Sequence, residues 1–161
     1  MTEASTPDGT SSHTAGAQLE RQKIMATLAA AAPDAIAEKF HALQAADYEL
    51  VRQPETGLVM VRGRMGGTGN PFNLGEVTVT RCVVRLATGE TGSSYSLGRN
   101  KEKALHTALI DARWQRDEER AQIEQDIITP LAEAHAAAGE TVKQETEATK
   151  VNFFTMVRGD N

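Results

Sequence analysis

Hydrophobic and polar positions alternate with a period of two in two stretches of this chain, Leu58 to Met65 and Glu76 to Leu86, both rich in β-branched residues. Between them lie Gly66, Gly67, Gly69, Asn70 and Pro71, a composition that demands turns, so the pattern predicts a β-hairpin with a long tip. Tyr48 to Arg52 alternates as a further strand, with Pro54 and Gly57 supplying the turn into the hairpin. Thr91 to Leu97 completes an expected meander of about four antiparallel strands, joined through the Thr88, Gly89, Glu90 turn.

The period changes to that of a helix on either side of this block. Ile24 and Leu28 share a face of a helix that runs from Ala17 through an alanine run to Ala32. Pro33 opens a second helix, whose Ile36, Phe40 and Leu43 form an apolar stripe expected to dock on the sheet. After Gly98, Leu105, Leu109 and Ala112 form one stripe, and Ile110 with Trp114 an adjoining one, so two apolar faces are predicted on a single helix, with Trp114 as a packing residue. Arg116 to Arg120 reads as a solvated helix face. Pro130 breaks or kinks the helical pattern, and helix resumes from Ala132 to Lys150. Val151 to Val157 is apolar on both sides of any strand and must be covered twice. Because strands and helices are segregated along the chain, the expected class is α+β, an antiparallel sheet packed by N-terminal and C-terminal helices.

Residues Met1 to Gly16 carry almost nothing apolar to bury and are expected to be a disordered tail, leaving 17–161 as one domain. Aromatics make up only 4% of the 161 residues, so large buried side chains are few and partner surfaces are expected to supply burial. The net charge of −5 argues against a nucleic-acid binder. That charge is uneven: Arg52 to Lys101 holds seven basic and three acidic residues and is net positive, while the remainder is strongly acidic. No apolar run is long enough to span a bilayer and no signal peptide opens the chain, so a cytoplasmic location without membrane contact is expected. The single cysteine, Cys82, sits mid-strand with no activating neighbour and reads as a buried structural thiol.

Alternation places Arg62 and Arg64 on one face of their strand, and Arg81 and Arg85 on one face of theirs, so four arginines are candidates to converge. Guanidinium groups are always charged and offer a planar fork of donors for phosphate or carboxylate. On residue types alone, arginines on the solvent side of a half-buried sheet are ordinary, and that reading outweighs an anion site. The Gly66, Gly67, Thr68, Gly69 loop lacks the Gly-Lys-Ser/Thr ending of a P-loop and leads into a strand instead of a helix, which leaves only a weak phosphate-cradling nest. The four histidines, His13, His41, His106 and His135, are scattered, and Glu102 with His106 one turn apart reads as a surface contact, so no metal site is expected. No nucleophile, base and orienting acid fall into a recognisable arrangement, and the catalytic residues stay unassigned.

RMGGTG (Arg64 to Gly69), VTVTRCVVRL (Val77 to Leu86), LGRNK (Leu97 to Lys101) and FFTMVRGDN (Phe153 to Asn161) occur in order, and with them the chain resembles the PhnG family from about Gln18 to its end. PhnG is a small subunit of the bacterial carbon-phosphorus lyase system. The resemblance implies a supporting subunit that works with the PhnH, PhnI and PhnL proteins when adenine is displaced from ATP by methylphosphonate, giving alpha-D-ribose 1-methylphosphonate 5-triphosphate, with catalysis centred on PhnI. It also implies a stable core with PhnH, PhnI and PhnJ, the last a radical iron-sulfur enzyme. ATP and methylphosphonate are then substrates of the complex, and no cofactor is expected on this chain alone. Arg62, Arg64 and the Gly66 to Gly69 loop would touch polyanionic substrate or dock a partner. Phe153, Phe154, Met156 and Arg158 are the expected partner interface, because a terminus so apolar must be tied down. The rival readings are a self-sufficient enzyme that uses the arginines and a regulatory module for a phosphorylated ligand.

Overall fold

The computed structural model of the chain describes residues 10–43 and 46–149, the side chains of 10–15 excepted. Three strands, β1 (Tyr48–Arg64), β2 (Pro71–Leu86) and β3 (Thr91–Leu97), pair antiparallel in sequence order, with β2 in the centre. The α+β class expected from the segregated pattern holds, and the strand number comes close to expectation. Tyr48 to Arg52 does not end at Pro54 but continues into the next strand, with register shifts between Leu50 and Arg52 and between Arg52 and Glu55. β1 is an edge strand, where a proline with no N–H to donate is tolerated at an irregularity, so Pro54 bends the strand without ending it.

One face of the sheet is covered. Cys82, Val84 and Leu86 of β2 are buried against α3 (Lys101–Trp114), and Gly92, Ser94 and Ser96 of β3 share their side. The seam between α3 and the sheet is built from small residues: Ala104, Ala108 and Ala112, one helical turn apart, are wholly buried. At Gly92 the approach is closest, since a Cβ there would lie 2.0 Å from the Ala108 carbonyl oxygen and 2.5 Å from the Ala112 nitrogen. Backbone-to-backbone closeness thus takes the place of the large aromatic side chains that the composition lacks.

The other face of α3 forms a second cluster. Ile110 and Trp114 pack with Ile24 and Leu28 of α1 (Thr10–Ala30), Ala31 just after it, Ile36 of α2 (Pro33–His41), and Ile123, Ile127 and Leu131 further on. The two stripes predicted on α3 are therefore the two sides of one central helix. Helix α2 lies on α3, not on the sheet as expected, and reaches the sheet cluster only through Phe40. Its Ile36, and Leu43 just beyond its end, are matched to the helical cluster because α3 stands between α2 and the strands. Helix α1 begins at Thr10, within the stretch expected to be disordered; Met1 to Gly9 lie outside the described residues.

Polar contacts tie the layers together. Asp111 of α3 has no solvent exposure and accepts from Arg21 Nε at 2.9 Å, Arg21 Nη2 at 2.7 Å and the Ser93 backbone N–H at 2.8 Å, joining α1, α3 and β3. Lys103 Nζ donates to the Ala29 carbonyl at 2.6 Å, satisfying an orphan carbonyl in the last turn of α1. Asn100 caps α3 by accepting from the Lys103 N–H at 2.8 Å. Past Trp114 the chain runs through α4 (Asp117–Ile123), a π-helical turn (Glu124–Ile128) and α5 (Thr129–Ala148). Pro130 sits in the first turn of α5, and the widened turn just before it accommodates the proline ring and its missing N–H. Trp114 is buried, donates through Nε1 to Glu124 at 2.9 Å and carries the Arg120 guanidinium 4.8 Å above its ring, in keeping with a packing role.

Candidate functional site

β3 stops at Leu97, opposite Val79, so β1 from about Gly57 and β2 up to Thr78 continue beyond the sheet as a two-stranded arm. Isolated hairpins are marginal in water, and this one has both edges open. It also exposes large apolar side chains: Leu58, Met60, Met65, Phe72 and Leu74 are between 42% and 76% accessible. The tip is a 3₁₀ turn over Met65–Gly67, with Gly66 at φ 59° and Gly67 at φ 80°, left-handed conformations that favour glycine. The Gly69 N–H closes the turn on the Met65 carbonyl at 2.9 Å, and Arg64 Nη1 donates to the Gly69 carbonyl at 3.2 Å. Thr68 comes directly after the turn with its side chain in solvent.

The four arginines do not form one cluster. Arg81 and Arg85 lie on the face away from α3, where Arg81 meets Glu55 at 2.6 Å and Arg85 meets Glu49 at 3.0 Å. Arg52 also reaches Glu55 at 2.6 Å, and the two guanidinium groups, Arg81 foremost, hold the Glu55 carboxyl below the usual carboxylate range. Arg62 and Arg64 occupy the alternate positions of β1, hence the opposite face, and Arg62 stands seven residues beyond Glu55, roughly 23 Å at about 3.3 Å per residue. Acidic partners thus neutralise the pair near the sheet. Among the described residues Arg62 has no hydrogen bond or ion pair, so Arg62 and Arg64 leave the arm's tip net positive, with Glu76, opposite Met60, as the acidic residue of the arm.

A second feature lies where α2, α3 and the start of β1 meet, a hollow of about 370 Å³ lined by Phe40, His41, Tyr48, Leu105, His106 and Leu109, among others. The Phe40 and His106 rings stack at 4.1 Å with 14° between planes, and His41 stands edge-on at 5.9 Å. Burial lowers the His106 pKa, Glu102 opposing and His41 adding to the shift. Sequence spacing pairs His106 with Glu102, which acts on it through its charge; the rings packed against it are Phe40 and His41, whose distance along the chain hides them. No carboxylate or thiol lines the hollow among the described residues, so none is placed there to move a proton with His106. Among the described residues no group of His, Cys, Asp and Glu is arranged to hold a metal ion, and no helix is long and apolar enough to cross a membrane. Cys82 is buried, its thiol pushed up by desolvation, and is 3.5 Å from the Arg52 carbonyl.

The third feature is α5. Only Leu131 and the residues before it pack on the body; every residue from Ala132 to Thr149 is exposed. The expected interface residues Phe153, Phe154, Met156 and Arg158 lie beyond it, outside the described residues.

The arm and the bare length of α5 leave two extended surfaces uncovered among the described residues. The family model described as "Phosphonate metabolism protein PhnG" matches residues 19–159. The chain belongs to the PhnG family. Over 111 residues it is 50% identical to the alpha-D-ribose 1-methylphosphonate 5-triphosphate synthase subunit PhnG of Rhizobium meliloti (strain 1021), an alignment that covers 69% of this chain and 70% of that protein. The PhnG match takes in α1 from residue 19, the whole sheet, the arm and α5.

Proposed function

We propose that this chain is a non-autonomous subunit of alpha-D-ribose 1-methylphosphonate 5-triphosphate synthase, the activity named for its relative from Rhizobium meliloti. The complex displaces adenine from ATP with methylphosphonate, catalysis is centred on a PhnI protein, and PhnH and PhnL assist; the chain also enters the core that includes PhnJ. The reaction takes place in the cytoplasm. The single observation that carries this reading is the arm: a two-stranded element with exposed Leu58, Met60, Met65 and Leu74 is unstable alone and needs a surface to lie on. Its tip supplies Arg62 and Arg64 beside the Gly66 to Gly69 loop, cationic donors suited to the triphosphate or to acidic side chains of a partner. Arg81 and Arg85, already engaged by Glu55 and Glu49, contribute to the outer rim of the contact instead of its centre. Phe153, Phe154, Met156 and Arg158 add apolar anchors from the tail.

A supporting role is favoured over self-sufficient catalysis, because nothing among the described residues aligns a nucleophile with a base. The test is adenine release from ATP plus methylphosphonate, measured with the chain alone, with the partner proteins alone, and with all together. Turnover only in the full mixture supports the proposal; turnover by the chain alone makes it an enzyme in its own right. Deleting Val151 to Asn161 should weaken partner capture more than it lowers helix content; full-stoichiometry capture by the truncated chain would remove the tail from the interface.

A further inference from the structure

The hollow between α2, α3 and the start of β1 opens beside Tyr48, at the opposite end of β1 from the arm's tip. Its wall gathers the rings of Phe40, His41, Tyr48 and His106 with the aliphatic Leu105 and Leu109, and its volume of about 370 Å³ falls in the range of small-molecule sites. The polar groups on this wall lack partners. His106 is only 7% exposed, yet neither of its ring nitrogens makes a hydrogen bond among the described residues, and its Nδ1 is shut off from solvent. An imidazole buried in that state costs free energy that a ligand can recover. The His41 ring and the Tyr48 hydroxyl make no hydrogen bond among the described residues either.

Charge at the wall is balanced. Arg113 is held by Glu119 at 2.5 Å, both side chains being largely buried, and burial keeps His106 below its ordinary pKa. Glu102 acts on His106 from one turn earlier on α3, and Asp47 lines the neighbouring clefts; neither stands in the wall of the hollow. A flat, neutral ring with hydrogen-bonding groups on its edge suits such a surface better than an anion does. A product that is a ribose bearing methylphosphonate at position 1 and triphosphate at position 5, as the relative's name describes, no longer carries a base there, so the base of ATP must leave the sugar.

We propose that the hollow is a binding site for a neutral purine and that its ligand is adenine, the departing base. Ring and aliphatic surface takes the faces of the purine, while the imidazole nitrogens and the Tyr48 hydroxyl meet the donors and acceptors of its edge. The choice of adenine rests on the synthase reading. The site itself is separate from the arm and the tail.

Equilibrium dialysis of the full chain against labelled adenine tests this, with the imidazole NMR signals of His41 and His106 as the local readout. One adenine should bind per chain with a Kd between about 10 μM and 1 mM, the span open to a ligand of about ten heavy atoms, and both histidine signals should shift. Leu105→Trp fills the hollow and should weaken binding at least about tenfold. His41→Ala and Tyr48→Phe, both at exposed positions, should each weaken it about 2- to 10-fold, as loss of one hydrogen bond does. ATP should shift the two histidines no more readily than adenine, and indole, which lacks most of the polar edge, less readily. Absence of saturation by about 1 mM adenine, or binding that Leu105→Trp leaves intact, overturns the proposal. Tighter binding of indole would also overturn it and assign the hollow to an aromatic side chain of a partner. Because the readout is binding, partners that give no turnover leave an adenine site standing, and a chain that binds no adenine leaves the synthase role to its own test.

Discussion

Gly92 and Asp111 show how much of this fold rests on single positions. A methyl group at Gly92 would overlap the Ala108 carbonyl and the Ala112 amide, both backbone atoms that cannot rotate away. Gly92→Ala should therefore cost about 3 kcal/mol or more, as overpacking against backbone does; urea unfolding measures it, and a loss below about 0.5 kcal/mol would mean that α3 shifts freely. Arg21→Ala leaves the buried Asp111 carboxylate with the Ser93 N–H as its remaining donor from another element, and should cost about 3 kcal/mol by the same measurement. His106 gives a pH dependence. Its imidazole is held below the ordinary 6.5 by burial, so the unfolded chain binds the proton more readily. The stability it contributes is complete above pH 6.5 and declines as the pH falls below that value. Replacing it by glutamine should flatten the acid side of the stability profile, and an unchanged slope would assign that dependence to other groups. Neither the Arg21 and Asp111 pair nor Gly92 stands out in the sequence. Arg21 and Asp111 are 90 positions apart, and Gly92 in a Thr-Gly-Ser string resembles any turn glycine until α3 is laid on it.

Helices and strands are more legible in the sequence than their contacts. The two apolar stripes of α3 are evident from periodicity, because a helix buried on two sides must show both. The segment Gln53 to Gly57 reads as a turn because proline and glycine ordinarily end strands, but an edge position needs no N–H from proline and so the strand runs on. The arginines are separable only once register is known: Arg62 and Arg64 fall on the positions of β1 that alternate with Glu55, the partner of Arg81, and no count within one strand reveals which face the other strand presents. The consequence is testable at the arm. Arg64→Ala should weaken complex or substrate binding by about 1.5 to 3 kcal/mol, the worth of charge-assisted hydrogen bonds, and leave folding within about 0.5 kcal/mol. Arg81→Ala, whose guanidinium Glu55 already occupies, should change binding by less than Arg64→Ala. Equal effects of the two substitutions would contradict the division between a neutralised pair and a free tip.

At the scale of the whole molecule, the scarcity of aromatics has two outcomes. The core is closed by alanines, a glycine and aliphatic side chains on either side of α3, and the surface left over is concentrated in an arm and a bare helix. Neither projection is visible in the sequence, since alternation describes a strand without saying what covers it and an alanine-rich helix suits a core as well as solvent. Such a chain should be poorly behaved in isolation and gain thermal stability from a PhnI-type partner. The central claim, that it completes a phosphonate-activating synthase without being one, is tested most directly by adenine release from ATP and methylphosphonate in a reconstituted mixture, with and without this chain. Turnover is expected with every component present, little or none when this chain is left out, and none from the chain alone. Full turnover from the partners without it would contradict the claim.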